Sequence, residues 1–592
     1  MAIERQTLAE LFEAQASRYT ARTFLRQKRN GAWQNLSWAD VDDAVQRVRT
    51  GLGRIGLGRG DRIAILAENS PEWVIVDQAA LGLGAIVVPI YTTSGSDEMR
   101  HVLADSGAQL VAVGNAALMA KLGALGPLPG VQGILAMDEQ AVPRDLHGIP
   151  VWALTALRNL PPMPARPGAP DDLATLIYTS GTTGPSKGVM LSHGNLLANC
   201  AANQAALDLN ENDCVLSFLP IAHSFERTAG YYTVMTAGGT IAYAEGLSQL
   251  AHNLLEVEPT VLLTVPRLLE TVHDRIMRRV ESSSPVQRAI FQRAVAVGSR
   301  VAEARLAGRP APLLARLQMP LYRRLVFKRI KAVFGSRLRY LISGGAPLPN
   351  EINRFLAAAE VPIVEGYGLT EAAPVVAVNL KGHTRFGTVG RPLRNVEVKL
   401  ADDGELLVRG PNVMRGYWRR DDETREAIDA DGWLHTGDIA KIDADGYVAI
   451  TDRKKEIIVL SGGKNISPAN LESRLAADFY IAQACVIGDR RKHLVVLLVP
   501  NFDHLREHQA DALELDSAPP EAIVANPKVR EFFRRRLREF NRSLSDVEAI
   551  VDFRLLPHPF TQENGELTPT LKLRRRVVQE HYREAIDSLY GN

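Results

Sequence analysis

Short, nearly continuous apolar runs recur through the first 270 residues of this chain and limit its fold more than any other feature. RIAILAE (62–68), AIVVPIY (85–91) and AQLVAVG (108–114) each have the length of one buried strand, and ATLIYTS (174–180) repeats the pattern further on. Between them lie helical patterns such as PEWVIVDQAALGLG (71–84). A run of this kind has no polar face, so it must be covered on both sides, and strands alternating with helices achieve that as βαβ units in a mainly parallel sheet. The expected class is therefore α/β. At 592 residues the chain is too long for a single core, and at least two domains are expected.

The organisation changes along the chain. A Pro-rich stretch, PPMPARPGAPDD (161–172), reads as a surface connection, and residues 276–335 read as mostly helical and basic. Between 395 and 450, short alternating runs such as EVKLADDGELLVRG are split by Asp-Gly turns, the pattern of antiparallel hairpins. After DRKKEIIVLSGGKN (452–465) the α/β pattern returns and continues to Asn592. The main boundary is placed at Lys455, giving domains 1–455 and 456–592.

Apolar residues make up 46% of the chain and charged residues 23%, ordinary values for a soluble globular enzyme. Cys200, Cys214 and Cys485 are far apart and lack metal-ligand spacing, so they read as buried thiols of a reducing compartment. The first 20 residues carry acidic side chains and no apolar run, unlike a secretory signal. No uninterrupted apolar stretch reaches the roughly 18 residues of a membrane span. A cytoplasmic location is expected. Net charge is only +2, yet Arg275–Arg339 holds 16 Lys/Arg against Glu281 and Glu303. That segment is +14 and the rest of the chain therefore −12, a distribution that suggests a local anionic partner rather than a generally basic, nucleic-acid-binding protein.

The run YTSGTTGPSKG, Tyr178–Gly188, carries the most chemical information. An apolar strand enters a loop of Ser, Thr and Gly that ends in one Lys. Gly181 and Gly184 let backbone N–H groups approach phosphate oxygens, the hydroxyls of Thr179, Ser180, Thr182 and Thr183 add donors, and Lys187 adds a point charge. The Walker pattern needs four residues between its glycines and Ser or Thr after Lys; here two residues separate Gly181 from Gly184, and Gly188 follows Lys187. This is a phosphate loop of another kind.

YTSGTTGPSKGV resembles the signature loop of the adenylate-forming superfamily, which includes acyl-CoA synthetases, firefly luciferase and peptide-synthetase adenylation domains. SGGAPLP (343–349), EGYGLTEAAP (365–374), GWLHTGD (432–438), DRKKEIIVLSGGKNISP (452–468) and TPTLKLRR (568–575) resemble its later motifs, in the family's order. Ser186 stands where the family often has Pro, a small departure because contact there is mainly through backbone.

The resemblance implies a large N-terminal domain of several subdomains with mainly parallel sheets, and a small mobile C-terminal α+β domain. It also implies ATP, Mg²⁺ and coenzyme A. Gly344, Gly345 and Ala346 would wall the adenine, and Glu365, Gly366, Tyr367 and Gly368 would complete that site with the Tyr367 ring against the base. Thr370 would bond the α-phosphate and Glu371 would hold Mg²⁺, a hard cation suited to carboxylate and phosphate oxygens. Asp438 would accept from the ribose hydroxyls, and Arg453 would bond the same ribose or its phosphate. Lys572 would enter the site during adenylation, where charge builds on the α-phosphate as pyrophosphate leaves.

Two half-reactions at one carbonyl need two arrangements of the pocket. The family rotates its C-terminal domain about a hinge, which aligns with Lys455. Gly462 would then line the pantetheine channel and Lys464 would meet CoA phosphates. FLPIAHSFERT (218–228) resembles the acyl-pocket motif, with His223 near the substrate carboxylate. The basic helical insertion and the text around GGKNISPANLE (462–472) and QACVIGDRRKHLVVLLVPN (483–501) resemble long-chain fatty acyl-CoA synthetases. The implied activity is conversion of a fatty acid to acyl-AMP and then acyl-CoA. The alternatives are loading of a carrier protein, activation of an aryl or medium-chain acid, and a catalytically silent binding protein, against which the joint presence of Lys187, Glu371, Asp438 and Lys572 argues.

Residues 321–334 place Tyr322, Val326, Ile330 and Val333 on one helical stripe, with Arg323, Arg324, Lys328, Arg329 and Lys331 largely off it. Three readings stand: the stripe packs on the N-terminal domain, it lies on an anionic membrane surface, or the basic face attracts the polyanion coenzyme A. No motif specifies an oligomeric state.

Overall fold

The computed structural model describes residues 6–591 apart from 139–142, 167, 180–184, 307, 381, 455, 463, 477, 516–517, 547 and 569–572. The chain forms two compact units. The first comprises Met1–Ala401, Leu406–Thr436 and Ile442–Ala449; the second comprises Asp402–Glu405, Gly437–Lys441 and Ile450–Asn592.

Two nine-stranded sheets build the first unit. In one, Arg62–Leu66, Ile86–Ile90 and Leu110–Val113 are adjacent and parallel, as the apolar runs require. Leu173–Thr179 lies parallel to Ile86–Ile90 and turns back antiparallel into Lys187–Ser192. The intervening helix Pro71–Leu81 starts with Pro at its first turn and a Ser70 cap, whose Oγ accepts from the Trp73 amide at 3.2 Å. Every residue of that helix except Glu72 is buried, which explains a segment apolar nearly all round.

The second sheet runs Arg391–Pro392, Val375–Val378, Ile363–Gly368, Tyr340–Ser343, Val261–Thr264, Cys214–Ser217, Thr240–Tyr243, Thr23–Arg29 and Ala32–Ser37. Its central strands are parallel and in register, Thr264 against Ser343 against Glu365. The helices Pro266–Glu281, Pro285–Leu306 and Leu313–Tyr322, a π turn at Arg323–Phe327, and Lys328–Ala332 cover it. Val326 and Ile330 are buried in this unit's core with Tyr322 and Val333 packed against them, so the stripe expected at 321–334 faces the protein. The Asp-Gly hairpin also forms: Glu397–Leu400 pairs antiparallel with Glu405–Arg409.

In the second unit, Ile481–Ile487 pairs antiparallel with Leu494–Pro500, which pairs parallel with Ile550–Leu555. Helices Pro468–Ala476, Phe502–Leu513 and Pro527–Asn541 accompany this sheet. All three cysteines are buried and free, as expected. Among the described residues no helix is long and apolar enough to cross a membrane.

Candidate active site

The carboxyl ends of Val261–Thr264, Tyr340–Ser343 and Ile363–Gly368 lie side by side, the edge where open α/β sheets present ligands. Gly344 follows the middle strand, its amide donating to the Thr264 carbonyl at 3.2 Å. A Cβ at Gly344 would lie 3.0 Å from the Phe225 ring, so a side chain there would require the ring to give by a few tenths of an ångström. Gly345 follows at φ +82°, a conformation that favours glycine, and Ala346 is exposed.

The strand Ile363–Gly368 ends in a tight turn. A Cβ on Gly368 would sit 2.1 Å from the Pro374 carbonyl oxygen, so only glycine fits. The Leu369 amide donates to that carbonyl at 3.0 Å, and Thr370–Ala372 forms one 3₁₀ turn, closed by Ala373 at φ +59°. The Met414 amide donates to the Glu371 carbonyl and the Asn412 amide nitrogen to the Ala372 carbonyl, each at 2.8 Å, so this turn is held from outside as well.

Here the sequence motifs converge. Ser224 Oγ and Thr370 Oγ1 are 3.0 Å apart, joining the 218–228 segment to the turn. The Tyr417 hydroxyl donates to Glu371 Oε1 at 3.0 Å, and Lys187 Nζ lies 5.2 Å from the Tyr417 ring centroid and 3.9 Å from Glu423 Oε1. Burial and the neighbouring Glu371 charge push the Tyr417 phenol well above its usual pKa, so it remains a donor. Thr179 faces Lys187 across the strand pair. Of the phosphate loop, Ser180, Gly181, Thr182, Thr183 and Gly184 lie outside the described residues, as do Lys455 and Lys572.

His223 Nδ1 accepts from the Phe225 amide at 3.1 Å, which orients the ring and leaves the neutral tautomer's proton on Nε2. The turn bearing it is anchored by groups that sequence reasoning missed. Arg227, fully buried in the π-helical turn Glu226–Tyr232, donates to Asp77 at 2.5 Å, Thr175 at 2.7 Å and the Tyr232 hydroxyl at 3.0 Å. Next to it the buried Glu226 accepts from Ser217 Oγ at 2.6 Å, and burial pushes its carboxyl up to about 8. Asn69 donates to Ser217 Oγ at 2.9 Å and to the Leu219 carbonyl at 2.6 Å, and accepts from the Ile221 amide at 2.9 Å. The segment leading to His223 is thus pinned at both ends.

Glu365 faces inward rather than joining this group. It accepts from the Leu348 amide and Asn353 Nδ2, each at 3.3 Å, and burial raises it to about 7, so it braces the SGGAPLP segment from below. Gly366 and Tyr367 pair with Val378 and Ala377.

In the second unit, Asp438 and Arg453 meet: Arg453 Nε lies 3.3 Å from Asp438 Oδ1, and Arg453 Nη1 lies 3.4 Å from Glu456 Oε1. Gly437, at φ +71°, donates its amide to Glu405 Oε1 at 2.8 Å, and Lys454 bridges Asp403 at 2.6 Å and Glu405 at 3.0 Å. Gly462 is exposed, and a Cβ there would meet nothing within 4 Å, so packing does not demand glycine. Lys464 is exposed beside it, its carbonyl accepting from the Leu460 amide at 3.0 Å. Leu567 and Leu573, on either side of the segment that carries Lys572, are bridged to each other, and Arg575 is held by both oxygens of Glu472 at 2.6 and 2.9 Å.

The first unit's cluster combines a hydroxyl pair, a carboxylate and an ammonium on glycine-shaped turns. Hydroxyls and ammonium suit phosphate oxygens, and the carboxylate beside them suits a hard divalent cation.

Residues 12–418 match the family model described as AMP-binding enzyme, and residues 455–592 match the AMP-binding enzyme C-terminal domain. A long-chain-fatty-acid–CoA ligase, FadD15 of Mycobacterium bovis, is 34% identical over 584 residues, covering 95% of this chain and 93% of that one. Long-chain-fatty-acid–CoA ligase 1 of Cavia porcellus is 30% identical, covering 95% and 84%. Among solved structures, the adenylation domain of the carboxylate reductase from Mycobacterium chelonae aligns with a TM-score of 0.79 at 24% identity, covering 99% of this chain and 91% of that one. The anthranilate CoA ligase AuaEII in complex with anthranoyl-AMP aligns at 0.75 with 19% identity, covering 98% of each. Both share the fold.

Proposed function

The chain belongs to the AMP-binding enzyme family, and we propose that within it this protein is an ATP-dependent long-chain fatty acid–CoA ligase. The observation that carries the reading is the convergence of Ser224, Thr370, Glu371, Tyr417 and Lys187 at the strand ends. The long-chain-fatty-acid–CoA ligase activity of relatives 30–34% identical over most of the chain supports the choice of acid and acceptor.

In the first half-reaction, the fatty carboxylate oxygen attacks the α-phosphorus of ATP, the bond to pyrophosphate breaks, and acyl-AMP forms. No general base is needed, because a carboxylate is already ionised at neutral pH. Lys187 and the loop around Thr179 hold the outer phosphates, and Thr370 bonds the α-phosphate with Ser224 setting its hydroxyl. His223 presents Nε2–H toward the carboxylate. Glu371 would hold Mg²⁺, which would supply charge neutralisation on the phosphates. Gly344, Gly345, Ala346 and Tyr367 bound the adenine, and Asp438 with Arg453 takes the ribose. Lys572 brings a further positive charge to the α-phosphate.

In the second half-reaction, the CoA thiolate attacks the acyl carbonyl carbon and AMP leaves. Domain 456–592 turns about Lys455 between the steps, with Gly462 beside the pantetheine arm and Lys464 at CoA phosphates. The protein works in the cytoplasm, at the inner face of a membrane from which its substrate is drawn.

A panel of straight-chain and aryl acids, scored by AMP release with and without CoA, tests the reading. The expected result is CoA-dependent turnover that is highest with long chains. Adenylation without CoA-dependent release would replace the acceptor by a carrier protein, and a preference for aryl or short acids would replace the substrate.

A further inference from the structure

The helix that buries the stripe expected at 321–334 has a second apolar face. Leu313, Leu314, Leu317, Leu321 and Leu325 are 71, 64, 70, 56 and 43% exposed. On the opposite side, Ala315, Met319, Val326, Phe327 and Ile330 are buried in the core. A four-residue spacing in an α-helix drifts by about 40° per step, which would carry Leu325 away from Leu313. The π turn at Arg323–Phe327 takes an extra residue per hydrogen-bonded ring and counters that drift, so Leu325 continues the ridge while Val326 and Phe327 stay inside.

Packing accounts for the inner face, and nothing in this unit's fold calls for the outer one. Scattered exposed leucines are ordinary; five on one helix form a contiguous patch, which marks a contact surface. Its charge identifies the occupant. Arg316, Arg324, Lys328 and Arg329 are exposed on the same helical run and pair with no carboxylate among the described residues. Arg323 and Lys331 differ, being tied to Glu360 at 2.6 and 3.4 Å. No Asp or Glu occurs between Glu303 and Glu351. The ridge also lacks what protein interfaces concentrate: it presents leucine, a poor hot-spot residue, with no exposed Trp or Phe.

We propose that the Leu313–Leu325 ridge is a docking element for an anionic phospholipid bilayer, in which the leucines enter the headgroup–acyl boundary and the four unpaired cations meet lipid phosphates. The inference stands on exposure and charge and is independent of which acid the enzyme activates.

Full-length protein is sedimented with vesicles of phosphatidylcholine alone or mixed with phosphatidylglycerol. Binding to the anionic vesicles is expected, falling steeply when salt is raised to about 0.5 M. Leu317→Gln with Leu321→Gln should weaken binding by at least about tenfold, as should Arg324→Gln with Lys328→Gln and Arg329→Gln. All these side chains are exposed, so thermal melting and ATP–pyrophosphate exchange should be unchanged, which separates loss of docking from loss of fold or catalysis. Absence of binding to anionic vesicles at low salt overturns the proposal. So does binding that ignores the leucine substitutions, which would locate the membrane surface elsewhere. Concentration-dependent self-association that the leucine variant abolishes, without vesicle binding, would assign the ridge to a second copy of this chain instead.

Discussion

Tyr417→Phe removes one oxygen from the site and leaves almost everything else in place. The ring stays, so its volume and its face toward Lys187, 5.2 Å from the ammonium, are retained. What goes is the 3.0 Å bond to Glu371 Oε1. A hydrogen bond to a charged acceptor contributes about 1.5–3 kcal/mol, and each 1.4 kcal/mol is about tenfold, so complete loss would cost roughly 10- to 150-fold. Glu371 is only half-buried and water can replace the phenol, which places the expected effect near roughly tenfold. Tyr417 acts through Glu371, so the loss should appear as a raised apparent Mg²⁺ requirement in ATP–pyrophosphate exchange, with little change at saturating Mg²⁺ and no change in KM for the acid. Glu371→Gln should be more severe, and the double variant should be no worse than Glu371→Gln alone, the signature of two residues on one path. An unchanged Mg²⁺ dependence in Tyr417→Phe, or losses that simply add, would refute the positioning role.

Lys572→Ala should cut adenylation by about 100- to 1000-fold and largely spare thioester formation from supplied acyl-AMP; equal loss in both half-reactions, measured separately, would reject its role. Lys455→Pro, which restricts φ to near about −65°, should let acyl-AMP form and accumulate, and normal CoA transfer would show that rotation there is not required. Glu226 is about 8 when buried against 4.5 exposed, so folding holds it protonated: its contribution is fully present below about pH 4.5 and is lost as pH rises toward 8. Glu226→Gln should therefore gain stability on the parent across that window, by about 3 kcal/mol between pH 4.5 and pH 7, read from paired thermal melts; a difference that does not change with pH would contradict the assignment.

Much of this protein is local, and local features are legible in a sequence. The runs at 62–68, 85–91 and 108–114 become adjacent parallel strands because a strand without a polar face has few other places to go. The turn bearing Thr370 and Glu371 is written in neighbouring residues, since the Pro374 carbonyl 2.1 Å from where a Cβ would stand excludes any side chain at Gly368. Asp438 and Arg453 meet because the hairpin between them is short. What only the tertiary structure decided are pairings between distant segments and the direction a face points. Tyr417 reaches Glu371 across 46 residues and Arg227 reaches Asp77 across 150, and neither carries a spacing signal because the chain between them is free to be any length. The helix from Leu313 has two apolar stripes of the same period. Hydropathy measures how apolar a stripe is and contains no direction, so the sheet beneath Val326 and Ile330 decided which stripe became core and left the leucines outside.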